Sequence, residues 1–471
     1  MNTKTTRISQ AQLNDQFAFC DKISAYWHER NITPTAYVET YGCQQNEADS
    51  ERLRGYLTMS GYRITSGAEG ADVVVMNTCA IREHAEQRVF GNLGALTHTK
   101  RRHPGQKIFL CGCMAGETKV SDRIKKSFPH VDGVFSTHHL WQFPQILWNV
   151  LSQQKRQFFI EDEAGSIAEG IPQVRDNTLK AWVSIMYGCN NFCTYCIVPY
   201  VRGRERSRNK EDILAECRSL VENGCKEITL LGQNVNSYGK DLPDGMDFAD
   251  LLAEICQIPG EFLIRFMTSH PRDASKKLFD TMAANPKIAK QLHLPFQSGS
   301  SRVLKAMNRH SDREKYLEAV NYARSVMPDL VLTSDVIVGF PGETEEEFQE
   351  TITLIEQVRY DSLFTFIFSP RHGTPAASMD DPTPKEEKNR RFDKLCTVQN
   401  GISEQIHQSY VGTTQRCLVD GMDGDQLTAR TEGGRLVRFA GCHELVGTYQ
   451  NLNITGSTTW SLTGTLVGKD G

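Results

Sequence analysis

Cys189, Cys193 and Cys196 stand in the stretch Tyr187-Gly-Cys-Asn-Asn-Phe-Cys-Thr-Tyr-Cys-Ile-Val-Pro. The spacing, CxxxCxxC, lets three thiolates from one short loop converge on three corners of a cubane iron–sulfur cluster. With three protein ligands, the fourth iron stays open to bind another molecule. Such incomplete ligation marks a reaction site, whereas a fourth cysteine would suit plain electron transfer. The competing reading is a structural zinc site or three unrelated thiols. Zinc sites pair a CxxC with a second CxxC or with histidines, and this segment offers neither.

A second cysteine set shares a structural address. Cys43, Cys79 and Cys113 each follow a strand-like run, in Ala36-Tyr-Val-Glu-Thr-Tyr, Ala71-Asp-Val-Val-Val-Met and Lys107-Ile-Phe-Leu. They lie 36 and 34 residues apart, about one strand–helix repeat each. In a parallel sheet the carboxyl ends of neighbouring strands face one crevice, so these thiolates could meet there, again with a fourth position open. Ordinary buried cysteines, common in protein cores, are the alternative. Cys111 is expected to point into the sheet. Cys20, Cys217, Cys225, Cys256, Cys396, Cys417 and Cys442 have no partner at cluster spacing and read as structural.

The elements that must position these groups follow from pattern. Residues 1–34 read as a polar arm with one amphipathic helix over about 9–30. The three strands above and Val131-Asp-Gly-Val-Phe alternate with helical patterns, which predicts right-handed βαβ units and a doubly wound parallel sheet over 35–155. A polar linker, about 161–178, leads to strand candidates at 181–187, 227–231, 263–268, 291–295, 331–338 and 363–369. With helices between them, these predict a partial (βα)6 TIM-type barrel over 175–405, open on one side. Reactive groups in such barrels sit at the carboxyl ends of strands, where Cys189 falls. The last segment, 408–471, is rich in Gly and Thr with short β-like runs and reads as a small antiparallel β-barrel. The fold class is therefore α/β with a β-barrel appended.

Composition narrows the setting. The chain has 53 basic and 57 acidic residues, a formal charge of -4, so any polyanion must be gripped by local basic patches. No run of about eighteen apolar residues predicts a transmembrane helix, and the polar N-terminus lacks the apolar core of a signal peptide. A reducing cytoplasm is expected, where the 14 cysteines serve as ligands and buried thiols rather than disulfides.

The motifs together resemble the radical S-adenosylmethionine (SAM) methylthiotransferases, most closely the MiaB family, which acts on isopentenyladenosine in tRNA. The resemblance runs from about Ala36 to the C-terminus. It is carried by Thr40-Tyr-Gly-Cys-Gln-Gln-Asn, Asn77-Thr-Cys-Ala-Ile-Arg, Cys111-Gly-Cys-Met-Ala and the cluster loop through Arg208. Leu292-His-Leu-Pro-Phe-Gln-Ser-Gly-Ser, Ser334-Asp-Val-Ile-Val-Gly-Phe-Pro-Gly-Glu and Ser369-Pro-Arg-His-Gly-Thr-Pro-Ala extend it. Related branches modify threonylcarbamoyladenosine in tRNA or an aspartate of a ribosomal protein. A different class, a non-catalytic metal-bearing RNA-binding protein, is the remaining alternative. Gln45 stands where the family usually has Met, and His372 where it usually has Pro.

The resemblance implies that Cys189, Cys193 and Cys196 hold a 4Fe-4S cluster whose open iron chelates SAM. It implies that Cys43, Cys79 and Cys113 hold an auxiliary 4Fe-4S cluster that carries or delivers sulfur. Two SAM molecules are used, one methylating sulfur and one supplying the radical that activates carbon 2 of adenine. Candidate SAM contacts are Tyr195, beside the adenine; Gln233, in a turn that lacks the usual carboxylate; and Gln297, Ser298 and Asp335. Polar residues at strand ends are also frequent helix caps. Arg202, Arg204, Arg206 and Arg208 follow the loop at alternating positions, so one face could line a phosphate path. The C-terminal segment resembles the TRAM RNA-binding barrel. The implied partners are a tRNA anticodon stem-loop carrying isopentenyladenosine, a one-electron reductant such as flavodoxin or ferredoxin, and a sulfur donor. No membrane is involved, and a monomer is expected.

Overall fold

The computed structural model describes residues 6–80, 83–160 and 165–468. Ile81 and Arg82, which end the Asn77–Arg82 motif, and residues 161–164, which open the expected linker, lie outside the described residues. The chain divides into two compact units. One comprises residues 1–176, 186–190 and 196–208; the other comprises 177–185, 191–195 and 209–471. Among the described residues no helix is long and apolar enough to cross a membrane.

In the first unit six parallel strands form one sheet. Their order is Arg63–Ile64, Thr35–Tyr41, Val73–Thr78, Lys107–Gly112, Gly133–Phe135 and Gln157–Phe159. Successive strand residues point to opposite faces, and both faces here are covered. Val73, Val75, Phe109 and Cys111 share one core with the helices Gln10–His28, Gln44–Met59 and Phe143–Gln153. Val74, Met76, Ile108 and Leu110 share the other with Glu83–Arg102 and Thr118–Ser127. That coverage is why the strands read as continuous apolar runs. The chain leaves Thr35–Tyr41 toward one edge and returns to Val73–Thr78 on the other side, so the strand order reverses between these two. A doubly wound sheet binds its ligand at such a point, and Cys43 and Cys79 follow these very strands.

The first helix does not stand off as an arm. Leu13, Gln16, Cys20 and Ile23 recur at helical spacing and are buried, so Gln10–His28 packs into the sheet's core. A Ser9–Gln12 capping box starts it.

In the second unit Lys180–Ser184, Glu227–Leu231 and Leu263–Phe266 pair in parallel, as do Gln291–His293, Val331–Val338 and Ser362–Ile367. A parallel bridge between Ile264 and Ile288 joins the two runs into one arc. No pairing among the described residues connects Lys180–Ser184 to Ser362–Ile367, so the (βα)6 barrel is open. The long helix Lys385–Gln408 leads to a closed five-stranded barrel of Thr414–Asp423, Gln426–Thr431, Leu436–Phe439, Leu462–Leu466 and Tyr449–Ser457. Cys417, Val419, Leu427, Val437, Phe439, Leu452 and Ile454 fill it.

One pairing corrects the expectation of an antiparallel barrel. Leu436–Phe439 and Leu462–Leu466 run parallel, while the other pairs are antiparallel. Five strands alternating in direction cannot close without one like-directed pair. Lys180 to Asp420 at 2.6 Å, and the Tyr449 hydroxyl donating to the Lys226 carbonyl at 2.8 Å, tie this barrel to the parallel strands.

Candidate metal centres

The loops bearing Cys43 and Cys79 are interlocked by two buried asparagines. Asn46 Nδ2 donates to Asn77 Oδ1 at 3.1 Å and to the Thr78 carbonyl at 3.0 Å. Asn77 Nδ2 answers with bonds to the Asn46 carbonyl at 2.8 Å and Ser50 Oγ at 3.0 Å. The Cys43 thiol donates to Asn46 Oδ1 at 3.5 Å. Glycine lets the backbones come this close. A Cβ on Gly42 would lie 2.9 Å from the Cys79 Cβ, and Gly112, at φ +96°, would carry one 2.3 Å from the Thr78 carbonyl. Truncating Asn46 leaves buried partners unmet, so Asn46→Ala is expected to cost about 1–3 kcal/mol. Urea unfolding of the iron-free protein measures this.

Cys79 and Cys113 are buried and Cys43 is half-buried. Burial pushes the Cys113 thiol up to about 12; the Arg202 charge opposes this, while Cys79 and Cys43 push it further up. At neutral pH it therefore stays a thiol even beside Arg202, and binding a metal, which takes the thiolate, releases its proton. Among the described residues no three His, Cys, Asp or Glu side chains close on a single ion. A cubane takes its ligands at separate irons, which cysteines following three neighbouring parallel strands can supply without meeting at one point. Cys111 lies in the sheet core, as expected from its position in the strand.

Sequence reasoning placed Arg202, Arg204, Arg206 and Arg208 along a phosphate path, and the structure corrects three of these. Arg202, Arg206 and Arg208 are buried and only Arg204 is exposed. Arg202 Nε donates to Cys113 Sγ at 3.0 Å and its Nη2 to Asp49 Oδ2 at 3.0 Å. Arg206 donates to the carbonyls of Arg202 and Arg204. Arg208 forms a two-pronged pair with Glu169, both bonds 2.7 Å. The arginines alternate in the sequence but do not share one exposed face, because three of them meet internal acceptors.

Around the CxxxCxxC loop, Cys189 and Cys193 are buried and Cys196 is half-buried. Gly188 is required: at φ +77° a Cβ would lie 2.1 Å from the Arg204 carbonyl. Cys189 N–H donates to the Gly203 carbonyl at 3.1 Å. In the second unit, Thr194 N–H donates to the Met307 carbonyl at 3.0 Å, and Asn308 Nδ2 to the Phe192 carbonyl at 2.9 Å. Buried Arg309 donates to the Pro295 carbonyl at 2.7 Å and reaches Tyr195 Oη at 3.5 Å and Cys193 Sγ at 3.7 Å.

The other expected contacts lie at strand ends of the second unit. Gln233 is half-buried after Glu227–Leu231. Gln297, at φ +68°, bridges the strand Val331–Val338 through its backbone. Ser298 Oγ accepts from Ser300 N–H at 3.2 Å, the capping role that polar strand-end residues often take. Asp335 Oδ1 lies 3.4 Å from His293 Nε2.

Sequence reasoning missed Asn236, Ser269 and His270, which follow Glu227–Leu231 and Leu263–Phe266. Both amide atoms of Asn236, Ser269 Oγ and His270 Nε2 are buried without a hydrogen-bond partner. Val235 N–H donates to the Thr268 carbonyl at 3.1 Å and joins these two loops. Burial, and then the Arg309 charge, hold His270 neutral with a pKa of about 2. Each unmet buried group costs about 1–3 kcal/mol, so this cradle fits a polar ligand. Asp49 was also missed, although it lies one turn beyond Asn46 on the same helix face. Arg309 carries no sequence signal.

Comparison with known proteins fits this geometry. The radical SAM superfamily model matches residues 183–355, and that of an uncharacterized protein family, UPF0004, matches residues 35–136. The structure of TsrM, a radical S-adenosylmethionine methyltransferase from Kitasatospora setae, shares the fold. Its TM-score is 0.53 at 11% identity, covering 84% of this chain and 81% of that one. Fold and cysteine loop thus define a radical SAM protein.

Relatives narrow the class. A tRNA-2-methylthio-N(6)-dimethylallyladenosine synthase of Acetivibrio thermocellus is 46% identical over 471 residues, 98% of each chain. One of Clostridium perfringens strain SM101 is 49% identical over 433 residues, 91% of this chain and 97% of its own. The chain belongs to the tRNA-2-methylthio-N(6)-dimethylallyladenosine synthase family.

Proposed function

We propose that this protein attaches a methylthio group to carbon 2 of N(6)-isopentenyladenosine beside the anticodon of tRNA, using two molecules of SAM. The observation that supports the reading is that Cys43, Cys79 and Cys113 each follow the carboxyl end of one of three neighbouring parallel strands, in a chain that also holds the CxxxCxxC loop. Cys189, Cys193 and Cys196 would hold one 4Fe-4S cluster and Cys43, Cys79 and Cys113 the other. When bound, the clusters supply one-electron cleavage of SAM and the sulfur, chemistry that acid–base side chains cannot perform on a carbon neither acidic nor electrophilic.

The chain's own residues bind and position. Tyr195 would flank the adenine of SAM. Gln233, Gln297, Ser298 and Asp335, with the unmet groups of Asn236, Ser269 and His270, would take its polar atoms. Unstacked anticodon-loop bases can be drawn into a pocket, and the C-terminal barrel exposes Trp460, a surface on which a base can stack.

Of the four arginines after the loop, Arg204 alone has an exposed side chain, which supports giving it the phosphate contact. Arg204→Ala is expected to weaken stem-loop binding and to lower the log–log salt slope by about 0.7–0.9, read by fluorescence anisotropy across salt concentrations. We place the enzyme in the cytoplasm as a monomer, served by a flavodoxin- or ferredoxin-type reductant and a separate sulfur donor.

The test is anaerobic incubation of reconstituted protein with SAM, dithionite, sulfide and an isopentenyladenosine stem-loop, followed by nucleoside mass spectrometry. A methylthio nucleoside supports the reading. Formation of 5′-deoxyadenosine with no modified nucleoside would move the substrate to threonylcarbamoyladenosine or a ribosomal protein.

A further inference from the structure

Arg202 lies six positions after Cys196, at the end of the short helix Val198–Val201. Ile197 and Val201 pack with Ala80 and Cys113 in one small buried cluster. The chain segment opened by a cysteine of one triad is thus seated on a cysteine of the other. At its end the Arg202 guanidinium directs Nε at Cys113 Sγ, 3.0 Å away, while Asp49 holds Nη2 at 3.0 Å. A buried cation is tolerated when paired and hydrogen-bonded. Here one donor is aimed at sulfur, and the carboxylate fixes the plane that aims it. Arg52 stands on the other carboxylate oxygen, 3.8 Å from Asp49 Oδ1.

We infer that Arg202, held by Asp49, is a positioning residue for the auxiliary cluster that orients the Cys113 thiolate and raises the cluster's reduction potential. The inference rests on the reading that Cys43, Cys79 and Cys113 hold that cluster. Hydrogen bonds to sulfur and local charge are among the determinants of cluster potential. Reduction adds negative charge, so a cation fixed at a ligand sulfur favours the reduced form. Asp49 offsets part of this, but the guanidinium is the nearer member of the pair. Partners that orient metal ligands change metal affinity by roughly 10–100-fold.

The test uses the full-length protein with Cys189→Ala, Cys193→Ala and Cys196→Ala, so that the auxiliary site alone can hold iron. Iron and sulfide are counted after anaerobic reconstitution, and the midpoint is measured by EPR-monitored redox titration. Arg202→Met is expected to disfavour reduction about tenfold, a shift of ~59 mV to more negative potential for one electron. It is also expected to speed iron loss to a chelator. Arg202→Lys, which keeps the charge without the planar fork, is expected to shift the midpoint less, in the same direction.

An unchanged midpoint in the clusters that form on Arg202→Met would overturn the inference, even if fewer clusters form, because a merely structural role lowers occupancy without moving the potential. Should Arg202→Met not fold, Arg202→Lys decides by the same sign. If the parent with three alanines binds no iron at all, the cluster reading itself fails, an outcome distinct from a bound cluster with an unmoved midpoint.

Discussion

Cys79→Ala is expected to abolish methylthio transfer yet leave reductive cleavage of SAM to 5′-deoxyadenosine measurable, whereas Cys193→Ala is expected to remove both. The asymmetry follows from where the two cysteines sit. Cys79 follows the strand Val73–Thr78 of the first unit, and Cys193 belongs to the loop segment that packs with the second unit's parallel strands. Loss of a cluster ligand should exceed the roughly 10–100-fold cost of losing a supporting partner at a metal site. Nucleoside mass spectrometry and 5′-deoxyadenosine quantitation on the same anaerobic reactions report the two activities separately. Equal loss of both in Cys79→Ala would mean that the first unit's triad is needed for SAM chemistry itself, contrary to the division of labour proposed here.

The second large effect is expected at Gly112. Its φ of +96° disfavours any residue with a Cβ, and an added Cβ would meet the Thr78 carbonyl at 2.3 Å, Asn77 Oδ1 at 2.5 Å and Thr78 N at 2.7 Å. Two of these atoms are backbone and the third is locked to Asn46 Nδ2, so none can yield cheaply. Gly112→Ala should therefore fall in the exceptional tail of single substitutions, above about 4 kcal/mol, and empty the auxiliary site of iron.

A control separates this contact from backbone conformation alone. Gly424 also has positive φ, +60°, but nothing lies within 4 Å of its would-be Cβ. Gly424→Ala should cost only the left-handed penalty of about 1–2 kcal/mol. Urea unfolding of the iron-free proteins, with iron counted after reconstitution, measures both; similar losses at the two positions would refute the close-approach argument.

Much of this was legible in the chain itself. The runs Val73–Met76 and Ile108–Leu110 are apolar on both faces, and only a sheet covered on both sides can bury them. Strand–helix alternation then forces parallel pairing, and parallel pairing puts Cys43, Cys79 and Cys113 at one end of the sheet. The CxxxCxxC loop needs no long-range contact to bring its thiols near each other. Local spacing and periodicity therefore determined the fold class and both cysteine sets.

The tertiary structure decided what spacing cannot express. Arg202 and Arg204 are the same residue type at alternating positions, and nothing local distinguishes them. Arg202 is internal because Cys113 and Asp49, 89 and 153 residues away in the chain, supply its acceptors. Arg309 reaches Cys193 across 116 residues, and the unmet groups of Asn236, Ser269 and His270 exist only because two barrel loops close over them. The barrel's single parallel pair likewise follows from closure, which is a property of five strands together. A guanidinium takes whichever acceptor the folded chain brings within about 3 Å, and that distance is set by packing.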